Sequence, residues 1–444
     1  MSSTKLLTEQ LALSGGSPVV PKGTIVERWP LVEEEDIAAV VDTLRSGRLS
    51  WINNDAVPAL EKAWAEYIGS RHCIALNSGT AALHAAVAAA GVQPGDEVLV
   101  PALTFLASAT AVIHHQGLPV FVDVDPRTFT LDPAKLEERI TERTKAVIVV
   151  HLHGLPADMD PILEIARRRG LKVIEDTCQA PGALYKGRKA GSIGDMAAYS
   201  IMAGKNLPTA GEGGLFTTDD PRLCEAADMV KMFGEKVRPD EVREYNALTL
   251  GWNYRFSSIL AAFTLSQLAR LDGYTARVQE GARRLARGLE EIPGLLPPHV
   301  PEDRTHVYHH FRFRLDPAAA GVDLPVGVFR KAVQDAMEAE GVPLIEYQNR
   351  PIPGQTLFAE KLWSRSPRGR DIDYDMHEYP QTLDVIRGSL LVGHRLCMAS
   401  FMEPRNIDLY LEAFQKVFSR LDALTEYART LEYREPWEQA SRLW

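Results

Sequence analysis

The feature that most constrains the fold is a regular alternation, from Cys73 onward, of short apolar runs with longer helix-like stretches. Strands separated by helices are typical of βαβ units and a mostly parallel sheet. The runs are mostly apolar rather than alternating, as expected for strands covered on both faces. Seven runs fit: Cys73–Leu76, Glu97–Val100, Pro119–Val122, Ala146–Val150, Lys172–Ile174, Ala197–Ile201 and Leu215–Thr217. Helix-like stretches between them are Thr80–Ala90, Ala107–His115, Pro133–Ile140 and Ile162–Arg169.

The pattern predicts an α/β fold with a seven-stranded, mostly parallel sheet sandwiched by helices. The carboxyl ends of parallel strands meet at one sheet edge, where ligands of such sheets bind. After about residue 270 the regular alternation of apolar runs and helix-like stretches ends, which predicts a smaller C-terminal α+β domain. We therefore divide the chain into an arm (1–30), a large domain (31–270) and a small domain (271–444). Outside the alternating region, the sequence predicts four further helices: Glu33–Arg45, a long one from Leu260 through Leu271 to Leu289, Val328–Glu340 and Asn406–Leu424. It also predicts a strand at Tyr308–Leu315 and a loop-rich segment at Gln348–Asp384.

Composition narrows the class of protein. The 444 residues are 45% hydrophobic and 24% charged, with a net charge of −10, which is typical of a globular protein and does not favour a nucleic-acid or anionic-membrane partner. The four cysteines are far apart and form no metal-binding pattern, which favours a reducing compartment. We find no signal peptide and no apolar stretch long enough to span a membrane. We therefore expect a soluble, cytoplasmic protein without a metal site.

Two candidate site features lie beside predicted strand ends. Asn77–Thr80 precedes a helix, where a tight turn and unpaired N–H groups favour phosphate binding, although an ordinary N-cap fits equally. Glu175-Asp176 follows a strand, and a buried acid there needs a cation such as a protonated ring nitrogen. A surface carboxylate is the alternative. Gln179 is placed to donate to a ring oxygen, or is solvated.

Two further features follow along the chain. Lys205, after Ser200, has small and apolar neighbours just beyond a buried strand. Burial lowers an ammonium pKa and exposes the free amine, so Lys205 is a candidate nucleophile, with a surface-reaching lysine as the alternative. Gly211–Gly214 predicts positive φ or close backbone approach, or else a hairpin turn. A phosphate cradle, a strand-end acid and a lysine in this order match the phosphate, ring nitrogen and aldehyde of pyridoxal 5′-phosphate (PLP).

A set of motifs identifies the resemblance. In order they are Ser78-Gly79-Thr80-Ala-Ala-Leu, Pro101-Ala-Leu-Thr104-Phe105, Phe121-Val-Asp123-Val-Asp125, Glu175-Asp176-Thr-Cys-Gln179-Ala180, Gly191-Ser-Ile-Gly194-Asp195, Lys205-Asn-Leu, Gly211-Glu-Gly-Gly214 and Gly251-Trp-Asn253-Tyr-Arg255. The chain resembles the sugar aminotransferases of DegT and StrS type, which are PLP-dependent transferases of fold type I. The resemblance extends over nearly the whole chain and makes the large domain the PLP-binding domain.

The resemblance implies roles for individual residues. Lys205 would form the Schiff base with PLP and carry the proton, and Asp176 would pair with the pyridinium nitrogen. Gln179 would contact the phenolic oxygen. Further cofactor contacts would come from Phe105, stacked on the ring, and from Gly79, Thr80 and Ser200 at the phosphate. Asn253, with Arg255 as a phosphate or substrate contact, would reach in from a neighbouring subunit, which implies a homodimer with shared active sites. An ordinary surface arginine is the alternative for Arg255.

Two departures from the family bear on the interface and the substrate. Phe256-Ser257-Ser258 stands where many relatives have Met-Ser-Glu, beside the expected subunit interface. The His-Tyr-Pro stretch of nucleotide-sugar members is missing near Ile345–Pro351. The Gln348–Asp384 segment instead resembles members acting on keto-cyclitols, such as scyllo-inosose aminotransferases.

The resemblance implies ping-pong transfer of an amino group from glutamine or glutamate to a keto-cyclitol or keto-sugar, in aminosugar or aminocyclitol biosynthesis for a secondary metabolite such as an antibiotic. Two alternatives keep PLP: an aminodehydroquinate-type dehydratase that aromatises an aminocyclitol, and a non-catalytic PLP-binding sensor. Relatives that dehydrate sugars at the 3-position have histidine in place of the lysine, so Lys205 argues against that branch.

Overall fold

Seven strands form the large sheet of the computed structural model, which describes residues 10–25, 28–237, 242–363, 372–393 and 398–439. The first nine strands, which include a separate hairpin of β6 and β7, are β1 (His72–Leu76), β2 (Glu97–Pro101), β3 (Leu118–Val122), β4 (Thr144–Val150), β5 (Lys172–Asp176), β6 (Leu184–Tyr185), β7 (Arg188–Lys189), β8 (Met196–Ser200) and β9 (Gly214–Thr218). The sheet order is β1-β9-β8-β5-β4-β2-β3, with β9 antiparallel to both neighbours and the other pairs parallel. The predicted fold class is confirmed, because each of the seven apolar runs forms a strand of this sheet.

Both faces of the sheet are buried because successive side chains of a strand point to opposite sides. On β4, Ile148 belongs to one hydrophobic cluster, whereas Val147 and Val149 belong to another, and all three are 0% exposed. Burying an aliphatic side chain of this size stabilises a fold by about 1.5–3 kcal/mol. The two clusters therefore fix the central strands, and with them the sheet edge that carries Asp176.

The helices around this sheet agree with the predicted stretches apart from two additions, one break and the predicted helix Pro133–Ile140, which is α-helical only to Leu136 and continues as a 3-10 turn over Glu137–Arg139. They are α1 (Glu34–Arg45), α2 (Ala56–Ile68), α3 (Gly79–Ala89), α4 (Ala107–His114), α5 (Pro133–Leu136), α6 (Met159–Arg169), α7 (Pro221–Lys231), α8 (Ser258–Leu268) and α9 (Leu271–Glu290). Helices α2 and α7 were not predicted. The long stretch from Leu260 to Leu289 is two helices, because α8 packs on α1 and α2 whereas α9 continues into the second core.

The second sheet lies C-terminal to α9. Its strands are β10 (Leu295–Leu296), β11 (Arg312–Leu315), β12 (Leu344–Ile345) and β13 (Ser389–Val392), in the antiparallel order β10-β11-β13-β12. The helices that accompany it are α10 (Val326–Ala339), α11 (Thr356–Ala359), α12 (Pro380–Gly388), α13 (Met398–Phe401), α14 (Pro404–Phe418) and α15 (Leu421–Ala428). The predicted strand Tyr308–Leu315 begins only at Arg312, since Tyr308 has φ of 48°, and the predicted helix Asn406–Leu424 is interrupted after Phe418. Leu11, Val20 and Trp29 complete this core from the N-terminal segment.

The described part of Gln348–Asp384 packs against the large sheet. Phe358, Tyr374 and Tyr379 lie in the same hydrophobic cluster as the central strands. At the end of the segment, Asp123 Oδ1 accepts hydrogen bonds from the backbone N–H and the hydroxyl of Thr382, at 2.9 and 2.7 Å. These contacts anchor the start of α12 just beyond β3. Residues 364–371 lie outside the described part of the chain.

Cys73, Cys178 and Cys224 are free thiols, and Cys397 lies outside the described residues. Within the described ranges, no helix is both long enough and apolar enough to cross a membrane.

Candidate active site

Asp176 ends β5 in the middle of the large sheet and is 4% exposed. The hydroxyl of Ser108, on α4, donates to Asp176 Oδ2 at 2.7 Å, and the N–H of Cys178 donates to Oδ1 at 3.2 Å. Ser108 Oγ in turn lies 2.8 Å from Thr104 Oγ1. With both oxygens accepting hydrogen bonds, this buried carboxylate is held in one orientation, which suits it to bind a cation.

Glu175, the other member of the predicted acid pair, lies on the opposite side of the strand. Its carboxylate is within 2.9 Å of His151 Nε2 and accepts the N–H groups of Gly191 and Gly194 at 2.7 and 2.6 Å. Burial alone raises the pKa of Glu175, but the hydrogen bonds from His151 and the backbone outweigh it and hold this pKa below its ordinary value. Glu175 therefore fixes the loop after β7, and Asp176 alone faces the site.

Lys205 lies in the loop that joins β8 to β9, where the indole N–H of Trp29 donates to its carbonyl at 2.9 Å. Burial lowers the pKa of the Lys205 ammonium, although its interactions with Cys178, Asp176 and Glu212 act in the opposite direction. A lowered pKa increases the fraction of neutral amine, which is the nucleophilic form. The loop thus brings the Lys205 amine within electrostatic range of the Asp176 carboxylate.

The start of α3 forms the candidate phosphate cradle. Ser78 is the N-cap, and its hydroxyl accepts the N–H of Ala81 at 3.1 Å. Ser78 is therefore a helix N-cap, as the alternative interpretation predicted. The N–H groups of Gly79 and Thr80 belong to the first turn, whose amides have no partner within a helix, and they favour an anion there.

Two glycines close this cradle against neighbouring strands. A Cβ on Gly79 would lie 2.7 Å from Cβ of Ser200 and 3.2 Å from Sγ of Cys178. A Cβ on Gly214 would lie 2.2 Å from the Ser78 carbonyl oxygen. The Gly211–Gly214 run therefore serves close backbone approach, as one interpretation predicted, and is not a tight hairpin turn. It brings the cradle, Ser200 and the Asp176 region to one sheet edge.

Gln179 and Phe105 lie at the same edge. Gln179 Oε1 accepts the N–H of His153 at 2.7 Å, so the amide NH₂ points away from that contact, and its Nε2 lies 3.5 Å from Tyr347 Oη. Phe105 follows β2 and is 57% exposed, which is unusual for a large aromatic side chain. This exposure leaves a ring face for stacking.

Asn253 and Arg255 lie beside the end of β1 of their own chain. The Asn253 carbonyl accepts from Asn77 Nδ2 at 3.3 Å, and its side-chain oxygen accepts from Arg255 Nε at 2.9 Å. The Arg255 guanidinium also stacks over Phe233 at 5.2 Å. Their expected action in a neighbouring subunit stays a prediction.

Sequence reasoning missed a buried group of imidazoles next to this edge. This histidine cluster consists of His153, His306, His309 and His310, each at most 6% exposed. Burial lowers the pKa of His306 and His310 to about 3, so both are neutral near pH 7. A neutral imidazole both donates and accepts one hydrogen bond, which suits hydroxyl groups.

Arg312 lies within the same cluster and is 2% exposed. Its guanidinium contacts His153 Nε2 at 3.1 Å, Gln348 Oε1 at 3.4 Å and Ser389 Oγ at 2.8 Å. Burial lowers the pKa of Arg312 to about 9, with Tyr347 acting in the opposite direction. Among the described residues no carboxylate pairs with it.

Two buried polar atoms of this region have no hydrogen-bond partner in the described structure: His153 Nδ1 and Gln348 Nε2. Both residues also have positive φ, 60° and 56°, which is uncommon outside glycine. The three histidines between His306 and His310 were the available sequence signal. Taken over the described chain, no group of three or more His, Cys, Asp or Glu side chains is arranged to hold a metal ion.

The chain is similar to known proteins in both sequence and structure. The sequence model of the DegT/DnrJ/EryC1/StrS aminotransferase family matches residues 30–376. The chain is 46% identical over 269 residues to GDP-perosamine synthase of Caulobacter vibrioides, covering 60% of this chain and 71% of that protein. It is 37% identical over 340 residues to L-glutamine:scyllo-inosose aminotransferase of Streptomyces griseus, covering 74% and 79% respectively. The crystal structure of S. venezuelae DesV in complex with a ketimine intermediate superimposes with a TM-score of 0.73 at 30% identity, over 92% of this chain and 100% of that one.

Proposed function

The chain belongs to the DegT/DnrJ/EryC1/StrS aminotransferase family, and on that premise we propose that it transfers an amino group from glutamine or glutamate to a keto-cyclitol, with keto-sugars as the competing acceptor class. It is a PLP-dependent aminotransferase. The observation that carries the proposal is the Lys205 amine, its pKa lowered by burial, beside the buried Asp176 carboxylate.

The residues at the sheet edge fit PLP at each of its polar groups. Gly79, Thr80 and Ser200 would hold the phosphate in a cradle that a Cβ at position 79 would fill. Asp176 would bind the ring nitrogen and Lys205 the aldehyde carbon. When bound, PLP supplies the electron sink that allows an amino group to leave its donor.

The chain's own side chains would do the remaining work. Asp176, fixed by Ser108, would present its carboxylate to the ring nitrogen. Gln179 would donate its amide to the ring oxygen, and Phe105 would cover one ring face. As a free amine, Lys205 Nζ would remove the proton from the donor α-carbon in the first half-reaction, and in the second it would deliver a proton to the acceptor carbon that receives the amino group.

The preference for a cyclitol rests on two supports. The histidine cluster offers neutral groups that both donate and accept hydrogen bonds, which suits an uncharged, polyhydroxylated ring. The similarity to a scyllo-inosose aminotransferase extends over 74% of the chain. A biosynthetic role in making an aminocyclitol or aminosugar follows from this acceptor class.

The test is to incubate the PLP-loaded enzyme with glutamine or glutamate, add a panel of keto-cyclitols and keto-sugars, and identify products by mass. We expect amination of a keto-cyclitol and parallel lines in initial-rate plots. An aromatic product would identify the dehydratase alternative, and bound PLP without any reaction with a donor would identify the sensor. Amination restricted to keto-sugars would overturn the cyclitol assignment.

We also propose a homodimer in which Asn253 and Arg255 act in the partner's site. Mixing inactive Lys205→Ala and Asn253→Ala subunits after dissociation tests this directly. Random reassociation would restore about a quarter of the wild-type activity, because half of the dimers would be mixed and each would hold one intact site. If Asn253 acted within its own chain, mixing would restore nothing.

A further inference from the structure

A cleft of about 550 Å³ lies between α9 and the loop after β3, and four arginines line it: Arg127, Arg283, Arg287 and Arg314. We call it the arginine cleft. It shares no lining residue with the cofactor edge or the histidine cluster described above. The ring of Phe129 separates it from that cluster, lying 6.1 Å from the His153 ring.

Helix α9 shows how the charges in the cleft differ from ordinary surface charges. Arg277 pairs with Glu403 at 3.4 Å, and Arg284 pairs with Asp408. Arg283 and Arg287 face the cleft, and neither pairs with a carboxylate among the described residues. The same helix therefore has neutralised arginines on one face and uncompensated ones on the other.

The opposite wall adds two more guanidinium groups. Arg314 donates from Nη1 to the Pro126 carbonyl at 3.3 Å, while its buried Nε has no partner in the described structure. Arg127 contacts His299 Nε2 at 2.9 Å. Glu290 also lines the cleft, so four positive charges face one negative charge in a chain whose net charge is −10.

We propose that the arginine cleft binds a small phosphorylated molecule with at least two negative charges, such as an organic diphosphate. Planar guanidinium groups bind phosphate oxygens in pairs and keep their charge at any physiological pH. Leu296 and Pro297 provide an apolar wall for the organic part. The concave shape and volume fit a small ligand, and the negative net charge of the whole chain opposes a nucleic acid or an anionic membrane.

The experiment is calorimetric titration of the PLP-loaded enzyme with inorganic pyrophosphate, because bound PLP keeps the cradle at Gly79 filled. Two double variants on the same helix make a matched pair. Arg283→Gln with Arg287→Gln removes two cleft charges, and Arg277→Gln with Arg284→Gln removes two charges that pair with carboxylates on a neighbouring face of the helix. Binding is read as heat, so the result does not depend on any transamination activity.

We expect one pyrophosphate per chain, with affinity weakened at least about tenfold in the cleft variant and within about twofold of wild type in the control. Thermal unfolding of both variants checks that they are folded, which their exposed positions favour. Equal weakening in the two variants, or no binding by the wild type, would overturn the proposal. So would duplex DNA that bound more tightly than pyrophosphate and lost affinity in the cleft variant.

Discussion

The cofactor edge and the histidine cluster are adjacent, yet the Asp176 carboxylate and the side chains of His153 and Gln348 differ in how many of their polar atoms have partners. At the cofactor edge, both oxygens of Asp176 accept hydrogen bonds and Ser108 is itself fixed by Thr104. In the histidine cluster, His153 Nδ1 and Gln348 Nε2 are buried without partners. Buried polar atoms normally have hydrogen-bond partners, so these two atoms of His153 and Gln348 are available to bind a ligand.

The difference fits the two tasks of a transaminase. A cofactor that stays bound favours a site built in advance, with each contact fixed. Donor and acceptor take turns in one place in a ping-pong reaction, which favours groups that accept different partners. On this interpretation, changes at the cofactor edge alter cofactor binding or chemistry, and changes in the cluster alter substrate use.

The largest effect is expected from Lys205→Ala. Removing the amine eliminates both the attachment to PLP and the proton carrier, so kcat falls by at least about a thousandfold. Transamination of glutamine followed by mass spectrometry measures it. The exposed Lys62→Ala variant is the control and should retain full activity. Substantial turnover in Lys205→Ala would show that the reaction does not depend on this amine, and the assignment of the chemistry to the cofactor edge would be wrong.

Gly79→Ala is expected to weaken PLP binding by about 10- to 100-fold, since the new Cβ would overpack the cradle by the equivalent of about 1–3 kcal/mol. The crowding is concrete, because that Cβ would lie 2.7 Å from Cβ of Ser200. Titration of the apoenzyme with PLP, followed by absorbance, gives the affinity. Gly273→Ala, where the Cβ would meet nothing within 4 Å, should bind PLP normally. Unchanged affinity in Gly79→Ala would show that the phosphate lies elsewhere.

Arg312→Met is expected to raise the KM for the keto acceptor by about tenfold while PLP affinity stays unchanged, since each lost hydrogen bond to a charged group is worth about 1.5–3 kcal/mol. Its contacts to His153 and Gln348 orient the cluster. Arg314→Met, on the same strand, is the matched control and should leave the kinetics unaltered. A loss of PLP binding in Arg312→Met would mean that the two regions are not separable.

A separate effect, on stability rather than on activity, is expected at mildly acid pH. His306 and His310 have pKa values of about 3 in the folded state, because burial disfavours the imidazolium, against 6.5 when exposed. Below pH 6.5 the unfolded chain therefore binds protons that the folded chain does not, and the free energy of unfolding falls as the pH is lowered from 6.5 towards 3. Urea unfolding at pH 7 and pH 5 measures the decline.

Replacing His306 and His310 together by asparagine should flatten that decline, whereas His377→Asn, at an exposed position, should not. An equal decline in both variants would show that other groups set the acid sensitivity. Activity assays of the same variants then report whether the cluster contributes to acceptor binding.

The sheet could be predicted from the sequence because each of its strands is recognisable from its own residues. Each of the seven strands is an apolar run, and the polar residues that follow β5 and β8 mark the carboxyl edge. Asp176 and Lys205 could be singled out for the same reason, and their chemical roles stay predictions. Helix α2 was overlooked although Asn53, Asn54 and Asp55, residues typical of a helix N-cap, stand directly before its first residues.

Three histidines of the cluster are close in sequence, but nothing local connects them to His153, so the cluster could not be assembled from the sequence. His153 follows β4, the other histidines precede β11, and Gln348 follows β12. The positive φ angles of His153 and Gln348 arise from tertiary packing, which no propensity reveals. The orientation of Glu175 away from the site was also hidden, since adjacent acids look alike until the strand assigns them to opposite faces.

The bond from the Trp29 indole to the Lys205 carbonyl has a practical consequence for anyone shortening this chain. Trp29 packs edge-on against Tyr274 of α9 at 5.2 Å, so one side chain ties the N-terminal segment, the second core and the lysine loop together. A version trimmed to begin after residue 30 would release that tie. Its reactive lysine would then sit on a looser loop, which makes Trp29 the residue to retain when designing expression variants or placing affinity tags.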